Sequence, residues 1–168
     1  ETAEVFKDGW FCTGDAGTLD ANGNLVITDR IKDLMKTSGG KYIAPQKLEM
    51  ALISDSFIEQ IAVIGDQQKY VTALAVPSFE NIKKYAIEHE ISFEDIEELI
   101  SHNKINDLFE KKFEELQKEF SMYEKVKKFT LLPKEFSIEA GEITATLKLK
   151  RKVIQKKYKE LIDKMYSE

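Results

Sequence analysis

Asp15 closes the stretch Gly9-Trp10-Phe11-Cys12-Thr13-Gly14-Asp15. A carboxylate fixed directly after a glycine can accept hydrogen bonds from two adjacent hydroxyls, as an acidic residue does on a ribose in dinucleotide sites. Closing a turn is the commoner use of an Asp in that position, and Asp15 alone does not decide between them. The pair Gly39-Gly40 offers backbone without side-chain bulk, which can approach a ligand closely or simply turn a hairpin. Basic residues gather near the end (Lys148, Lys150, Arg151, Lys152, Lys156, Lys157), while Glu and Asp dominate from Glu88 to Glu119. Such asymmetry suits either an anionic ligand at one end or a solvated lysine face.

Other chemistries lack their residues. One cysteine and two histidines, His89 and His102, both in acidic segments that look solvent-facing, give no metal-ligand arrangement, so no metal site is expected. A Ser-His-Asp triad has no histidine beside an activated serine. Neither G-x-x-x-x-G-K-[ST] nor G-x-G-x-x-G occurs, so a nucleotide would have to be held by some other arrangement.

The elements that must position these residues read as an α+β fold. Asn22-Gly23 between GDAGTL and LVIT predicts a β-hairpin over Gly14 to Thr28. Extended chain from Asp33 to Thr37, the Ser38-Gly39-Gly40 tip and Lys41 to Ala44 predict a second hairpin. Pro45 stands where a first helical turn accepts it, with Leu48, Ala51 and Leu52 at helical spacing behind it. IEQIAVIGD and YVTALAV read as two apolar strands around Asp66-Gln67-Gln68-Lys69, and Lys127 to Pro133 as a third strand of the same sheet. Between them Ser78 to Phe120 reads as helices, with a capping box at Ser92 and Asp95 and an apolar stripe of Ile105, Phe109, Phe113, Leu116 and Phe120. Past a polar turn, Glu139-Ala140-Gly141-Glu142, one last helix carries Ile154, Tyr158, Leu161 and Met165 on one face. The expected fold is therefore a small mixed β-sheet packed with helices, plus an N-terminal β-hairpin region.

With 42% hydrophobic and 33% charged residues, the composition is that of a chain that folds. Its 168 residues suffice for one core, or for one domain and a piece of another. Cys12, the single cysteine, forms no internal disulfide, suits a reducing compartment and is expected to be a small buried side chain. There is no apolar run of the roughly 20 residues that a bilayer span needs. The opening Glu1-Thr2-Ala3-Glu4 lacks an initiator Met, which points to a longer parent chain.

The run GWFCTGDAGTLDANGNLVITDRIKDLMKTSGGKYIAP resembles the adenylate-forming acyl-CoA synthetases and their luciferase and peptide-synthetase relatives. It carries, in order, their Gly-Trp-aromatic-x-Thr-Gly-Asp motif, their Asp/Gly-Arg-x-Lys/Asp-Asp hinge and their glycine hairpin. DRIKD, IGDQQKYVTALAVPSFE and GEITATLKLKR are similar to the long-chain fatty acyl branch in particular. The resemblance implies that residues 1–29 end a large nucleotide-binding domain and that 30–168 form the mobile C-terminal domain. It implies that Asp15 binds the ATP ribose, that Arg30 supports the nucleotide and that Lys32 is the hinge. Lys36, Gly39 and Gly40 would lie in a hairpin that lines the pantetheine tunnel. Lys148 would be the catalytic lysine of the family's Gly-Lys-x-x-Arg pattern, with Arg151 as its arginine. Leu147 stands where that pattern has glycine, which leaves Lys150 as a second candidate.

By the same resemblance the activity is ATP-dependent ligation of a long-chain fatty acid to CoA, through an acyl adenylate. Fatty acid, ATP and CoA would be the substrates, and Mg2+ would be bound mainly by the large N-terminal domain, the partner of this one. The phosphate loop and acyl pocket of the family are missing from the chain, so it should be catalytically incomplete alone. No nucleic acid is expected as partner; a cytoplasmic location is, and peripheral membrane contact of the whole enzyme is allowed. Two alternatives stay open: an adenylating enzyme for another carboxylic acid or for carrier-protein loading, and a non-catalytic protein-binding module of the same fold. Cations at both motif positions, Arg30 and Lys148, speak against the module.

Overall fold

The computed structural model describes residues 5–167, with Thr28 and Asp29 by their backbone alone. Glu1–Glu4, on which the expectation of a longer parent chain rests, lie outside the described residues. Two ribbons come first. β1 (Phe6–Lys7) pairs antiparallel with β2 (Trp10–Phe11), and β3 (Asp15–Leu19) with β4 (Leu25–Arg30), the latter around the expected Asn22-Gly23 turn. A 3₁₀ turn, Ile31–Asp33, follows, because the Leu34 N–H bonds back to the carbonyls of Arg30 at 3.1 Å and Ile31 at 3.4 Å. Extended chain therefore begins after Asp33, not at it. β5 (Met35–Lys36) pairs with β6 (Tyr42–Ile43) across the glycine tip, and α1 (Pro45–Leu52) starts on its proline as expected.

The core is a three-stranded sheet in the order β7 (Ile58–Ile64), β8 (Val71–Pro77), β9 (Val126–Leu131). β7 and β8 form an antiparallel hairpin, whereas β9 runs parallel to β8. Parallel pairing requires a long crossover, and α2 (Phe79–Glu88), α3 (Ile96–Ser101) and α4 (Asn103–Leu116) provide it. β8 is buried along its whole length because helices cover both faces of the sheet. Strand alternation then divides its side chains between two cores. Val71, Ala73 and Ala75 pack with Leu48, Leu52, Ile82, Leu99 and Phe109 of α1–α4. Leu74 and Val76 pack with Leu132, Phe136, Ile154, Ile162 and Met165 on the other side. This is the α+β architecture expected.

Four expectations need correction. Asp95, not Ser92, caps α3: its carboxylate accepts from the Glu98 N–H at 2.8 Å, and Glu98 accepts in return from the Glu94 N–H at 2.6 Å. The last helix is two, α5 (Arg151–Lys157) and α6 (Lys159–Ser167), broken at Tyr158 where its hydroxyl donates to Glu142 at 2.8 Å. Past the break Ile162 and Met165 are buried and Leu161 is exposed. The polar turn is present, with the Gly141 N–H on the Ile138 carbonyl at 2.9 Å, but Glu142 at its end is buried, 1% exposed. Cys12 is exposed, since its ribbon has no core to join. The α4 stripe holds for Ile105, Phe109 and Phe113, which are buried, while Leu116 and Phe120 pack at the margin.

Candidate functional site

Asp15 and Arg30 are partners across the β3–β4 ribbon, and Arg30 Nε lies 3.2 Å from Asp15 Oδ1. The Asp15 N–H is tied to Thr13 Oγ1 at 3.1 Å, which fixes the loop in front of the carboxylate. A carboxylate offers about four acceptor positions, so the pair with Arg30 is compatible with a ribose diol on the same group. Lys32 lies in the exposed 3₁₀ turn that leaves this ribbon.

Three hairpin tips share one backbone frame. In each, the first residue accepts the N–H of the residue three on, pairs by its own N–H with the carbonyl four on, and accepts that residue's N–H on its side-chain oxygen. At Thr37 these are Gly40 N–H at 2.9 Å, Lys41 O at 2.9 Å and, on Oγ1, Lys41 N–H at 3.1 Å. At Thr144 they are Leu147 N–H at 2.9 Å, Lys148 O at 2.8 Å and, on Oγ1, Lys148 N–H at 3.0 Å. At Asp20 the corresponding partners are Gly23 and Asn24. The fourth residue takes a left-handed conformation in all three, with φ +81° at Gly23 and Gly40 and +59° at Leu147. A type I turn followed by a left-handed residue is a standard three-residue hairpin, with glycine preferred there.

The structure places the sequence-predicted residues on these frames. Gly39 and Gly40 form the tip of the β5–β6 hairpin, and only Gly40 needs glycine's conformational freedom. Lys36 stands at its base: its N–H donates to Asp66 Oδ1 at 3.1 Å, its carbonyl accepts from the Gln67 N–H at 2.8 Å, and its ammonium lies over the Tyr42 ring. The hairpin is thereby fastened to the β7–β8 turn. Lys148 is exposed, directly after the left-handed Leu147, and among the described residues it has no ion pair. Lys150 is exposed as well, and its backbone joins the hairpin to α5. Its N–H closes the hairpin on the Glu142 carbonyl at 2.7 Å and its carbonyl receives the first N–H groups of α5, from Val153 and Ile154.

Arg151, the first residue of α5, makes a two-pronged ion pair with Glu49 of α1, its Nη2 lying 2.7 Å from Oε2 and its Nη1 bonding Oε1. Glu49 is buried and also accepts the Val63 N–H of β7 at 2.8 Å. Glu142, at the other end of the same hairpin, accepts from Lys157 Nζ and Tyr158 Oη, both at 2.8 Å, and from the Ser137 N–H at 3.0 Å. Burial pushes its carboxyl up, but the bonds from Lys157, Ser137 and Tyr158 outweigh this and hold it below the ordinary 4.5. The same contact raises Lys157, and burial followed by Glu142 raises Tyr158. Sequence reading missed Glu49 and Glu142. Glu49 had a signal: it falls on the buried stripe of α1 with Pro45, Leu48 and Leu52. Glu142 had none, because a Glu after a glycine in a polar run reads as solvated.

Among the described residues no cluster of three or more His, Cys, Asp or Glu could hold a metal ion, and no helix is long and apolar enough to cross a membrane. The chain is 34% identical over 169 residues to the long-chain-fatty-acid–CoA ligase FadD15 of Mycobacterium tuberculosis, covering 99% of this chain and 28% of that protein. It is 37% identical to long chain acyl-CoA synthetase 1 of Arabidopsis thaliana, over 98% of this chain and 25% of that protein. The chain thus spans about a quarter of the length of the curated relatives it matches. Among solved structures it superposes on the adenylation domain of a carboxylate reductase from Mycobacterium chelonae with TM-score 0.77 at 26% identity, covering 99% of this chain and 25% of that one. A second match is the adenylation domain of carboxylic acid reductase from Segniliparus rugosus in complex with AMP and a carboxylic acid, at TM-score 0.74 and 29% identity, covering 99% and 25%. Residues 32–168 match the family described as AMP-binding enzyme C-terminal domain, and to that family the chain belongs.

Proposed function

We propose that the chain is the C-terminal part of an ATP-dependent long-chain fatty acid–CoA ligase and supplies its mobile domain. The chain-length class is favoured by relatives named for long-chain fatty acids. Residues 30–168 are the moving body and 1–29 the end of the large domain. Exposed apolar side chains on the ribbons, Trp10 at 79% with Phe11, Leu19, Leu25 and Ile27, are the kind of surface that a larger domain covers. A cytoplasmic site of action, which the single cysteine suits, is part of the same reading.

In the first half-reaction a fatty carboxylate oxygen attacks the α-phosphorus of ATP and pyrophosphate leaves with the electron pair of the broken P–O bond. Lys148 stabilises the charge gathering on the phosphoryl oxygens, Asp15 holds the ribose and Arg30 supports the nucleotide. Mg2+ would accompany ATP and be bound mainly by the large domain. In the second half-reaction the CoA thiolate attacks the acyl carbonyl and AMP leaves. Between the two half-reactions, rotation at Lys32 exchanges the Lys148 hairpin for the Lys36–Gly40 hairpin, whose bare tip lines the pantetheine channel. Domain closure also keeps water from the adenylate.

The observation that carries the assignment of Lys148 is the left-handed φ of Leu147. The residue in the glycine position of the family pattern has the glycine conformation, which favours Lys148 over Lys150 as the lysine of that pattern. In the full-length enzyme Lys148→Ala should slow acyl adenylate formation by roughly 10²–10³-fold, the scale for one preorganised electrostatic donor. With preformed adenylate and CoA it should make thioester at close to the parent rate, and Lys150→Ala should affect adenylation only mildly. A large, half-reaction-specific loss in Lys150→Ala but not in Lys148→Ala would transfer the role to Lys150.

A further inference from the structure

The Lys148 hairpin has no sheet of its own to hold it. Its two arms meet in a single antiparallel bridge, Ile143 to Leu149, and the tip is solvent-exposed. A long flexible side chain on such a tip would sample many places, yet electrostatic catalysis requires a charge held to within about half an ångström of its productive position. What fixes the hairpin is a buried carboxylate at each end. Glu142 precedes it and is gripped by Lys157, Tyr158 and the Ser137 N–H, so the first arm is fastened to the end of α5 and to the break that follows it. Arg151 follows it and is forked onto Glu49, which is itself bonded to the Val63 N–H, so the second arm is fastened to α1 and to β7. Arg151 Nη1 also donates to the Val63 carbonyl at 3.3 Å. α1 begins directly after β6, so Glu49 ties the lysine hairpin to the element that follows the glycine hairpin.

Buried ion pairs are seldom net stabilisers compared with apolar packing, and their best-attested use is to specify one arrangement. We propose that Glu49 and Glu142 are positioning residues that act through Lys148, clamping both ends of its hairpin so that the ammonium is delivered in one place. The proposal rests on the role of Lys148 given above. Both carboxylates are buried and engaged by donors of the chain itself. The two pairs set the orientation of the tip, and with it the half-reaction that uses the tip.

The test is a double-mutant cycle in the full-length enzyme with separate half-reaction assays. Glu49→Gln and Glu142→Gln should each lower adenylate formation by tenfold or more. Each should leave thioester formation from preformed adenylate within about twofold. In a Lys148→Ala background either substitution should lower adenylation no further, because a positioning group has nothing left to position. Amide hydrogen exchange over 144–150 should quicken in both variants. Should either variant fold poorly, Arg151→Lys keeps the charge but loses the two-pronged fork and should show the same half-reaction selectivity more weakly. Equal loss in both half-reactions, or an undiminished loss in the Lys148→Ala background, overturns the proposal. Normal adenylation by Lys148→Ala alone would instead refute the role of that lysine.

Discussion

Leu147 and Gly40 occupy the same position of the same hairpin frame, one as a side-chain-bearing residue and the other as glycine, so exchanging their characters should move stability in opposite directions. A residue with a Cβ in the left-handed region bears about 1–2 kcal/mol of strain. Glycine avoids that strain but loses about 0.5–1 kcal/mol more chain entropy on folding. Leu147→Gly should therefore stabilise the chain by about 0.5–1 kcal/mol, since the side chain is 72% exposed and its removal leaves little cavity. Gly40→Ala should destabilise by a similar amount, and for backbone reasons alone, because a Cβ there would meet no atom within 4 Å. In thermal unfolding these changes correspond to Tm shifts of roughly 1–4 °C upward and downward. Urea titration of both variants, compared at constant m-value, measures them directly. A destabilised Leu147→Gly would mean that the leucine side chain makes contacts that outweigh its strain, and the conformational reasoning about the Lys148 register would lose its basis.

Two more outcomes follow from the structure. Lys32→Pro fixes φ near about −65°, a value that a 3₁₀ turn already uses, so the fold should survive while one half-reaction is spared and the other crippled; equal loss of both with the fold intact would count against a hinge at Lys32. For pH, Glu142 is held below its ordinary 4.5, so its stabilising contribution is complete above that value and is lost as pH falls through the folded-state pKa. Lys157 is raised above 10.5, so its share is complete below that value and lost only as pH rises through its own folded-state pKa. Glu142→Gln should accordingly lower stability at pH 7 by about 1–3 kcal/mol, with the gap to the parent protein closing at acid pH in urea titrations; a gap independent of pH would show that Glu142 is not ionised in the folded chain.

Much of the fold was legible in local chemistry. Asn22-Gly23 favours a left-handed residue in a tight turn, Pro45 suits the first turn of a helix, and the apolar runs of β7 and β8 read as two strands of one sheet. Asp15, Lys36, Gly40 and Lys148 could be proposed from the sequence because the motifs that carry the family resemblance are contiguous. What the sequence left undecided depends on groups far apart in the chain. Glu49 and Arg151 are 102 residues apart, and only the packing of α1 against β7 and α5 makes a partnered pair of two charges that local reading leaves in solvent. Tyr158 breaks what periodicity reads as one continuous helix because its hydroxyl has a buried carboxylate to reach. Cys12 follows the opposite course: a small residue with an apolar habit is exposed because its ribbon, by itself, encloses nothing. Local conformation is set by backbone sterics and short-range hydrogen bonds, which a sequence displays; the burial and pairing of charge are set by which surfaces meet, and the tertiary structure alone decides that.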